Sequence, residues 1–293
     1  CTDEISEEVF VKPEYEIDFH ILNQAACLGK ESIFICTSHY NYNNHPLDSI
    51  FWNFGDGVSY SLLLSEGDTV SHTYENYGEK RLTVRIKVQT DNDIININQE
   101  KNIYVNLSPQ AQIGTLDNTI CNRDTINYFD QSQLGLGEII EHTWNFNDPY
   151  SDDNTAMGIS AIHNYIVEGE YITTLIVVSD SGCSDTAVYN STVFAKPINH
   201  LYTNQPYGCG DTVEIKIYDT AWVSSGEIEY WQWNINGEIH ESEVDSIIVK
   251  MDVGDYFIES TVVSDMGCSS ADIIYGYQIY SRPYADFIAY PKR

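Results

Sequence analysis

A segment built around tryptophan occurs three times in the sequence at nearly equal intervals. Residues 51–57 read FWNFGDG, residues 143–148 read TWNFND and residues 232–237 read QWNING. Trp52, Trp144 and Trp233 are therefore 92 and 89 residues apart. Because self-similarity at a fixed spacing marks an array of like units, the sequence predicts three small domains, where its length alone suggests about two.

Each tryptophan segment is followed by a stretch in which apolar and polar positions alternate. The alternating positions are Leu82, Val84, Ile86 and Val88; Tyr171, Thr173, Leu175 and Val177; and Tyr256, Ile258, Ser260 and Val262. A period of two is typical of half-buried strands, and no long helical stripe is present. Several short strands between Gly, Asn, Asp and Ser clusters predict an antiparallel sandwich in each unit. We expect the three tryptophans to fill the cores.

The motif resembles the polycystic-kidney-disease (PKD) repeat, a family common on bacterial surface proteins. The first unit carries the motif in full and the others in part: Trp52–Gly57 with His72, Tyr74 and Gly78; Trp144, Asp148, His163, Tyr165 and Gly169; and Trp233, Gly254 and Tyr256. The resemblance covers roughly residues 12–282. It implies an all-β fold of tandem immunoglobulin-like (PKD-type) β-sandwiches.

Proline marks each join between the predicted units, at Pro13, Pro109, Pro197 and Pro283. The predicted organisation is an acidic tether over 1–11, domains over 12–107, 108–196 and 197–282, and the start of a fourth repeat over 283–293. Short joins of this type favour a semi-rigid rod over loosely tethered domains. The natural polypeptide is expected to continue beyond Arg293.

The sequence contains seven cysteines and no C-x-x-C pair, which argues against a structural zinc or thioredoxin-type site. The cysteines of the second and third units are separated by nearly the same number of residues, 62 and 59. We therefore expect one disulfide within each unit: Cys121–Cys183, Cys209–Cys268 and, by elimination, Cys27–Cys36. Buried free thiols are the alternative. Disulfides indicate an oxidising compartment: the periplasm, the cell surface or the space outside the cell.

The remaining cysteine is Cys1, followed by the acidic stretch Thr2–Glu8. This start resembles the mature N-terminus of a bacterial lipoprotein, and the acidic residues resemble the surface-export signal of Bacteroidota lipoproteins. The resemblance implies a lipid on Cys1 that anchors the chain to the outer membrane. The alternative is a chain boundary that happens to fall on a cysteine.

Charge and composition exclude several classes of partner. The formal net charge is −30, which disfavours nucleic acid and anionic lipid as partners. Hydrophobic residues make up 42% of the chain, too many for a disordered acidic tail. No apolar run approaches the length of a membrane span.

The sequence carries no motif of a known catalytic or phosphate-binding site, so we expect no enzymatic activity. His72 and His163 recur at one repeat position and are interpreted as hydrogen-bonding core or turn residues. Calcium is the one cofactor considered, because a loop of unit two clusters oxygen ligands: Asp148, Asp152, Asp153 and Asn154. A solvated acidic loop is the alternative.

Two further patterns suggest sites for sugars. An Asp-(Ser/Thr)-(small aliphatic) triplet similar to the Bacteroidota O-glycosylation sequon occurs at Ser49, Thr69, Thr125, Thr186, Thr212, Thr220 and Ser246. Its structural alternative is a turn Asp that leads into a strand. Glycan-stacking candidates in loop-like context are Tyr40, Tyr42, Tyr150 and Tyr207, whereas most tyrosines suit sheet faces.

These observations favour a non-catalytic, surface-exposed lipoprotein that mediates adhesion or protein interaction, or forms a structural subunit of an outer-membrane assembly. The resemblance points towards type IX secretion or gliding motility, with protein partners in a surface assembly. The alternatives are a glycan-binding accessory protein of polysaccharide utilisation and the spacer region of a larger secreted enzyme.

Overall fold

The computed structural model describes residues 16–23, 25–39, 47–63, 67–89, 94–116 and 119–288. These residues form strands, turns and irregular segments, and among them no helix is long and apolar enough to cross a membrane. The strands build three successive sandwiches, here called units 1, 2 and 3. The predicted all-β fold of tandem immunoglobulin-like sandwiches is confirmed.

Unit 1 has these strands in its described residues: β1 (Glu16–Ile21), β2 (Ala26–Cys27), β3 (Glu31–His39), β4 (Leu47–Asn53), β5 (Ser59–Leu63), β6 (Thr69–Thr73), β7 (Gly78–Gln89) and β8 (Ile94–Asn106). Those of unit 2 are β9 (Ile113–Thr115), β10 (Ile120–Cys121), β11 (Thr125–Asp130), β12 (Ile139–Asn145), β13 (Thr155–Met157), β14 (Ser160–Asn164), β15 (Gly169–Ser179) and β16 (Ser184–Phe194). Those of unit 3 are β17 (Ile198–Thr203), β18 (Gly208–Cys209), β19 (Thr212–Trp222), β20 (Ile228–Ile235), β21 (Glu238–Ser242), β22 (Ser246–Asp252), β23 (Gly254–Ser264) and β24 (Ser269–Tyr280).

The three units share one strand order. A three-stranded sheet pairs β1-β3-β6, β9-β11-β14 or β17-β19-β22, and a larger sheet runs β2-β8-β7-β4-β5 or its counterparts in units 2 and 3. Pairing is antiparallel except at the two-residue strands β2, β10 and β18, which run parallel to the last strand of their unit. This is the two-sheet arrangement of an immunoglobulin-like sandwich.

The three tryptophans of the repeat lie at the centres of the three cores, as predicted. Trp52 on β4, Trp144 on β12 and Trp233 on β20 are all fully buried. In unit 1 the rings of Phe19 and Phe34 pack 5.7 and 6.1 Å from the ring of Trp52. Large aromatic side chains supply much of the buried apolar area that a small sandwich needs.

A histidine and a carboxylate form a hydrogen-bonded pair at the edge of the core of unit 1, next to the tryptophan segment. His72 Nε2 lies 2.7 Å from Asp56 Oδ2, and the imidazole stacks on Phe54 at 4.1 Å. Burial alone would raise the pKa of Asp56, but the hydrogen bonds from His72 and from the Val58 N–H outweigh it and hold the pKa below its usual value. The predicted hydrogen-bonding role of His72 is confirmed.

Unit 2 repeats this arrangement with deeper burial. His163 Nε2 lies 3.1 Å from Asp148 Oδ2, and the ring stacks on Phe146 at 4.2 Å. The side chains of His163 and Asp148 are 3% and 0% exposed. In unit 3 the matching register position on β22 holds the buried Met251, so an apolar side chain takes the place of the pair.

The predicted start of a fourth repeat is described in part. Residues 283–288 are exposed and form no strand, and residues 289–293 lie outside the described residues. Phe287 is 87% exposed, whereas the residues at the same distance from the preceding proline in units 1 and 3, Ile17 and Leu201, are buried.

Asp148→Ala is expected to destabilise unit 2 by about 3 kcal/mol, because it leaves His163 buried without its partner. Hydrogen exchange of peptides from β12 to β15 should then be roughly 100-fold faster, at about 1.4 kcal/mol per decade. Asp153→Ala, an exposed change in the same loop, is the matched control and should change little. Equal effects of the two substitutions would contradict this role of Asp148.

Candidate functional site

The two disulfides join neighbouring units. Cys27 of unit 1 is bonded to Cys183 of unit 2, and Cys121 of unit 2 is bonded to Cys268 of unit 3, each with Cα atoms 5.7 Å apart. The predicted pairs Cys121–Cys183, Cys209–Cys268 and Cys27–Cys36 are therefore wrong. Cys36 and Cys209 are free thiols, the first buried and the second exposed.

The length of the last strand explains why two of the within-unit pairs, Cys121–Cys183 and Cys209–Cys268, do not form. Cys121 lies beside Phe194, the final residue of β16, whereas Cys183 directly precedes the first residue of that strand. At about 3.3 Å per residue, β16 separates the two cysteines by roughly 33 Å. A disulfide requires Cα atoms within about 7 Å. In unit 3, β24 separates Cys209 from Cys268 in the same way.

The first cysteine of each bond lies on a two-residue strand, β2 or β10. We call this strand and its counterpart β18 in unit 3 the linking strands. Cys27 is in register with Asn106 and Cys121 with Phe194. The next residue donates its N–H to the carbonyl of that register partner, Leu28 to Asn106 and Asn122 to Phe194, both at 2.8 Å. The linking strand is thereby fixed at the end of the unit that faces the next one.

The second cysteine of each bond lies in the turn before the last strand, which we call the linking turn: Ser179–Cys183 or Ser264–Cys268. The Ser N–H donates to the Cys carbonyl at 2.8 Å in both turns, and the Ser hydroxyl accepts the Cys N–H at 3.1 and 3.2 Å. Gly182 and Gly267 have φ of 82° and 78°, a conformation that favours glycine. Each turn thus presents its cysteine in one fixed orientation.

An ion pair accompanies the disulfide between units 1 and 2. Lys30 Nζ of unit 1 lies 2.8 Å from Asp185 Oδ1 of unit 2, while Asp185 Oδ2 accepts the N–H of Ala111 at 3.0 Å. Burial alone would raise the pKa of Asp185, but these hydrogen bonds and the Lys30 charge lower it. Asp185 therefore contacts both Lys30 of unit 1 and the first residues of unit 2.

The junction between units 2 and 3 has its own polar contact. The Ser224 hydroxyl of unit 3 donates to Glu168 Oε2 of unit 2 at 2.6 Å. At both junctions the linker proline, Pro109 or Pro197, is buried. Each linker thus has its proline buried at the junction.

Two of the four residues considered for calcium, Asp148 and Asn154, already accept hydrogen bonds from other protein groups, and the other two are exposed. Asp148 Oδ1 accepts the N–H of Tyr150 and its Oδ2 faces His163, while Asn154 accepts the N–H of Asp148. Asp152 and Asp153 are exposed. Among the described residues, no group of three or more His, Cys, Asp or Glu side chains is placed to hold a metal ion. Calcium binding stays a prediction.

The sugar-related candidates are spread over the three units. Five of the triplet hydroxyls are exposed: Thr69, Thr125, Thr186, Thr212 and Thr220. Ser49 and Ser246 are half-buried. Tyr150 and Tyr207 are 62% and 55% exposed but belong to different units, so they form no common platform. Cys1, Tyr40 and Tyr42 lie outside the described residues. Glycosylation and the lipid anchor stay predictions.

Sequence reasoning missed an aromatic face on the three-stranded sheet of unit 3. Tyr202 on β17 is directly opposite Tyr218 on β19, and the two rings stack in parallel at 5.1 Å. Lys216 lies over the ring of Tyr218, and Trp222 at the end of β19 is 58% exposed. The period-two pattern places these residues on one face, but pairing of β17 with β19 could not be read from the sequence.

The comparisons with known proteins concern the domains one at a time. Residues 106–193 match the family model of the PKD domain. This range is unit 2, although unit 1 carries the fuller motif. No curated protein matches the sequence significantly.

Similar solved structures are built of comparable modules. They include the PKD1 domain of Vibrio anguillarum Epp, with 20% identity, 30% of this chain and 95% of that chain covered, and a TM-score of 0.26. Fibronectin(III)-like modules of Clostridium thermocellum CbhA have 14% identity, coverage of 61% and 100%, and a TM-score of 0.35. A 1.5-MDa bacterial ice-binding adhesin has 11% identity, coverage of 93% and 99%, and a TM-score of 0.31. These scores are low, and the fold class rests on the strand order.

Asp185→Asn is expected to loosen the first junction, because it removes the charge that holds Lys30. We expect reduction of Cys27–Cys183 by a phosphine to become roughly 1.5- to 5-fold faster, equivalent to about 0.2–1 kcal/mol, because the Lys30 side chain is half exposed. Cys121–Cys268 in the same sample is the internal control and should be unaffected.

The pH dependence of this reduction should follow the same carboxylate. Since the pKa of Asp185 is lowered by folding, its contribution is present above the ordinary Asp pKa near about 3.9 and is lost as pH falls through the lower folded value. Acid protonates the phosphine as well, so the rate is taken relative to that of Cys121–Cys268 in the same sample. This ratio should rise with acid in the parent and change little in Asp185→Asn. Equal acid sensitivity in both would argue against the ion pair.

Proposed function

We propose that this chain is a non-catalytic structural and adhesive segment of a cell-surface protein, in which successive sandwiches are locked together by disulfides into a stiff spacer. The observation that carries the proposal is the repeated bond between the linking strand of one unit and the linking turn of the next. Two neighbouring units are thus joined by the main chain and by a second covalent tether, which opposes hinge motion at the junction.

The disulfides and the charge both favour the cell exterior. Disulfide bonds persist in oxidising environments such as the periplasm and the cell surface. A net charge of −30 spread over three small units favours solvation and disfavours close contact with an anionic membrane. Attachment through a lipid on Cys1, and work within a type IX secretion or gliding assembly, stay predictions from the sequence resemblance.

The order of the bonds has a mechanical consequence, because the two disulfide loops overlap in sequence. Between Cys27 and Cys268 the shortest covalent path crosses to Cys183, returns along the chain to Cys121 and crosses again. This path contains about 60 residues, or about 220 Å when extended, against about 240 residues and about 840 Å without disulfides. When the chain is pulled from its ends, the disulfides therefore prevent most of the residues between Cys27 and Cys268 from being extended.

Single-molecule stretching of the chain by its two ends tests this function. When fully unfolded, the segment between Cys27 and Cys268 is expected to reach a contour length of about 220 Å in the oxidised chain and about four times as much in the reduced chain. Cys36→Ser, which removes an unbonded buried thiol, is the control and should behave as the parent. Within-unit pairing would instead leave about 110 residues, or about 390 Å, in the path. That length would contradict the proposal.

Glycan binding is the second candidate function, favoured by the aromatic face of unit 3. Tyr202 and Tyr218 present stacked rings on a sheet, one exposed and one half-buried, and the exposed Trp222 lies four residues further along β19 on the same face. Aromatic rings that carry a polar atom suit ligands with an apolar face and hydroxyl edges. The glycan-binding candidate is therefore supported by this face and not by Tyr150 and Tyr207, which are in different units.

Tyr202→Ala combined with Trp222→Ala is expected to weaken binding to any recognised oligosaccharide on a glycan array by tenfold or more. Tyr150→Ala, an exposed tyrosine of unit 2, is the matched control and should leave binding unchanged. Absence of any bound glycan for the parent would remove this second candidate without affecting the spacer function.

A further inference from the structure

Cys209 occupies in unit 3 the place that the bonded cysteines occupy in units 1 and 2. It is the second residue of the linking strand β18 and lies in register with Tyr280, as Cys27 does with Asn106 and Cys121 with Phe194. The following residue, Gly210, donates its N–H to the Tyr280 carbonyl at 2.9 Å, which repeats the hydrogen bond of the other linking strands. Unlike Cys27 and Cys121, however, Cys209 is a free thiol in the structure.

The surroundings of Cys209 differ from the other two sites in one respect, which is exposure. Cys27 and Cys121 are 8% and 6% exposed, whereas Cys209 is exposed. Pro109 and Pro197 are buried in their junctions, whereas Pro283 in the corresponding position is exposed.

Aromatic side chains around the site are uncovered as well. The rings of Tyr207 and Tyr280 lie 6.0 Å apart and are 55% and 50% exposed. Phe287 is 87% exposed, whereas Leu201, the equivalent residue four positions after the linker proline of unit 3, is buried. This end of unit 3 thus has the cysteine, the proline and the aromatic residues of a junction, but no neighbouring unit packs against them in the described part of the chain.

We propose that a further sandwich follows unit 3 in the natural polypeptide, and that Cys209 is disulfide-bonded to the cysteine of its linking turn. The two observed bonds span 156 and 147 residues, so the partner is expected at a similar distance after Cys209. It should end a Ser-Asp-x-Gly-Cys turn, as Cys183 and Cys268 do. The inference rests on the proposed disulfide-locked array and extends it.

The bond forms by ordinary thiol oxidation. Each of the two thiols loses its proton, the sulfurs join, and two electrons pass to the disulfide of an oxidising carrier protein, which becomes a dithiol. The exposure of Cys209 gives such a carrier access, in contrast to Cys36, whose pKa is raised to about 11 by burial and by Asp68 and Asp18. Cys36 is therefore a poor nucleophile.

The test is disulfide mapping of the natural polypeptide, isolated from its native source after immediate alkylation and digested without reduction. The expected result is a peptide that links Cys209 to a Ser-Asp-x-Gly-Cys peptide from beyond unit 3, at a yield equal to that of the Cys121–Cys268 peptide. Cys209→Ser should leave the partner cysteine alkylated, whereas Cys36→Ser, the matched control, should leave the linked peptide intact.

Each other state of Cys209 overturns the inference: an alkylated thiol, a bond to Cys36, a bond to Cys209 of a second copy, or a mixed disulfide with a small thiol. If Cys27–Cys183 and Cys121–Cys268 are recovered while Cys209 is alkylated, the inference fails and the proposed function stands. If all three bonds are missing, both fail.

Discussion

The length of the last strand in each sandwich is the constraint on which the linkage of the array depends. It separates the linking strand from the linking turn of the same unit by roughly 33 Å in unit 2, far beyond the reach of a disulfide. The two cysteines of one unit therefore face opposite neighbours. A linking-strand cysteine and a linking-turn cysteine can thus bond only between units, and each such bond holds one sandwich against the next.

The cores supply the rigidity that this arrangement requires. A disulfide restrains a junction only if its two cysteines are held firmly within their own units. The buried Trp144 and the pair of His163 and Asp148 stabilise the sandwich, while the paired register of β10 and β16 fixes Cys121. The Ser179–Cys183 turn is closed by its own hydrogen bonds. Strand pairing, core packing and the junction are thus parts of one mechanical unit.

The fold could be predicted from the sequence because it depends on local patterns. The repeat around Trp52, the period-two strands and the recurrence of His72 and His163 are all visible without coordinates. The disulfide pairing could not be predicted from the interval between cysteines, because in a repeat protein every pair of equivalent positions recurs at the same interval. The recurring interval therefore indicates equivalence and carries no information about contact.

A different sequence signal was available for the pairing. All three linking strands carry a cysteine, yet residues 90–93 between β7 and β8 of unit 1 contain none. Pairing within units leaves Cys27 without a turn partner, and Cys36 has no counterpart nine residues after Cys121 or Cys209. Pairing with the next unit gives Cys27 a turn cysteine, Cys183, as its partner and requires no bond to Cys36. The ion pair of Lys30 with Asp185 and the aromatic face of Tyr202 depend on contacts between distant segments, which no local pattern encodes.

The most direct measurement of the central claim is the identity of the thiol that becomes free when one bonded cysteine is removed. Cys268→Ser changes the linking turn of unit 3, and peptide mapping after alkylation reports which cysteine has lost its partner. Bonding between units predicts that Cys121, in unit 2, becomes alkylated while Cys209 is alkylated to the same extent as in the parent chain. If Cys121 stays bonded to Cys183 and Cys209 is the thiol released by the substitution, each disulfide lies within a single unit. That result would contradict bonding between units.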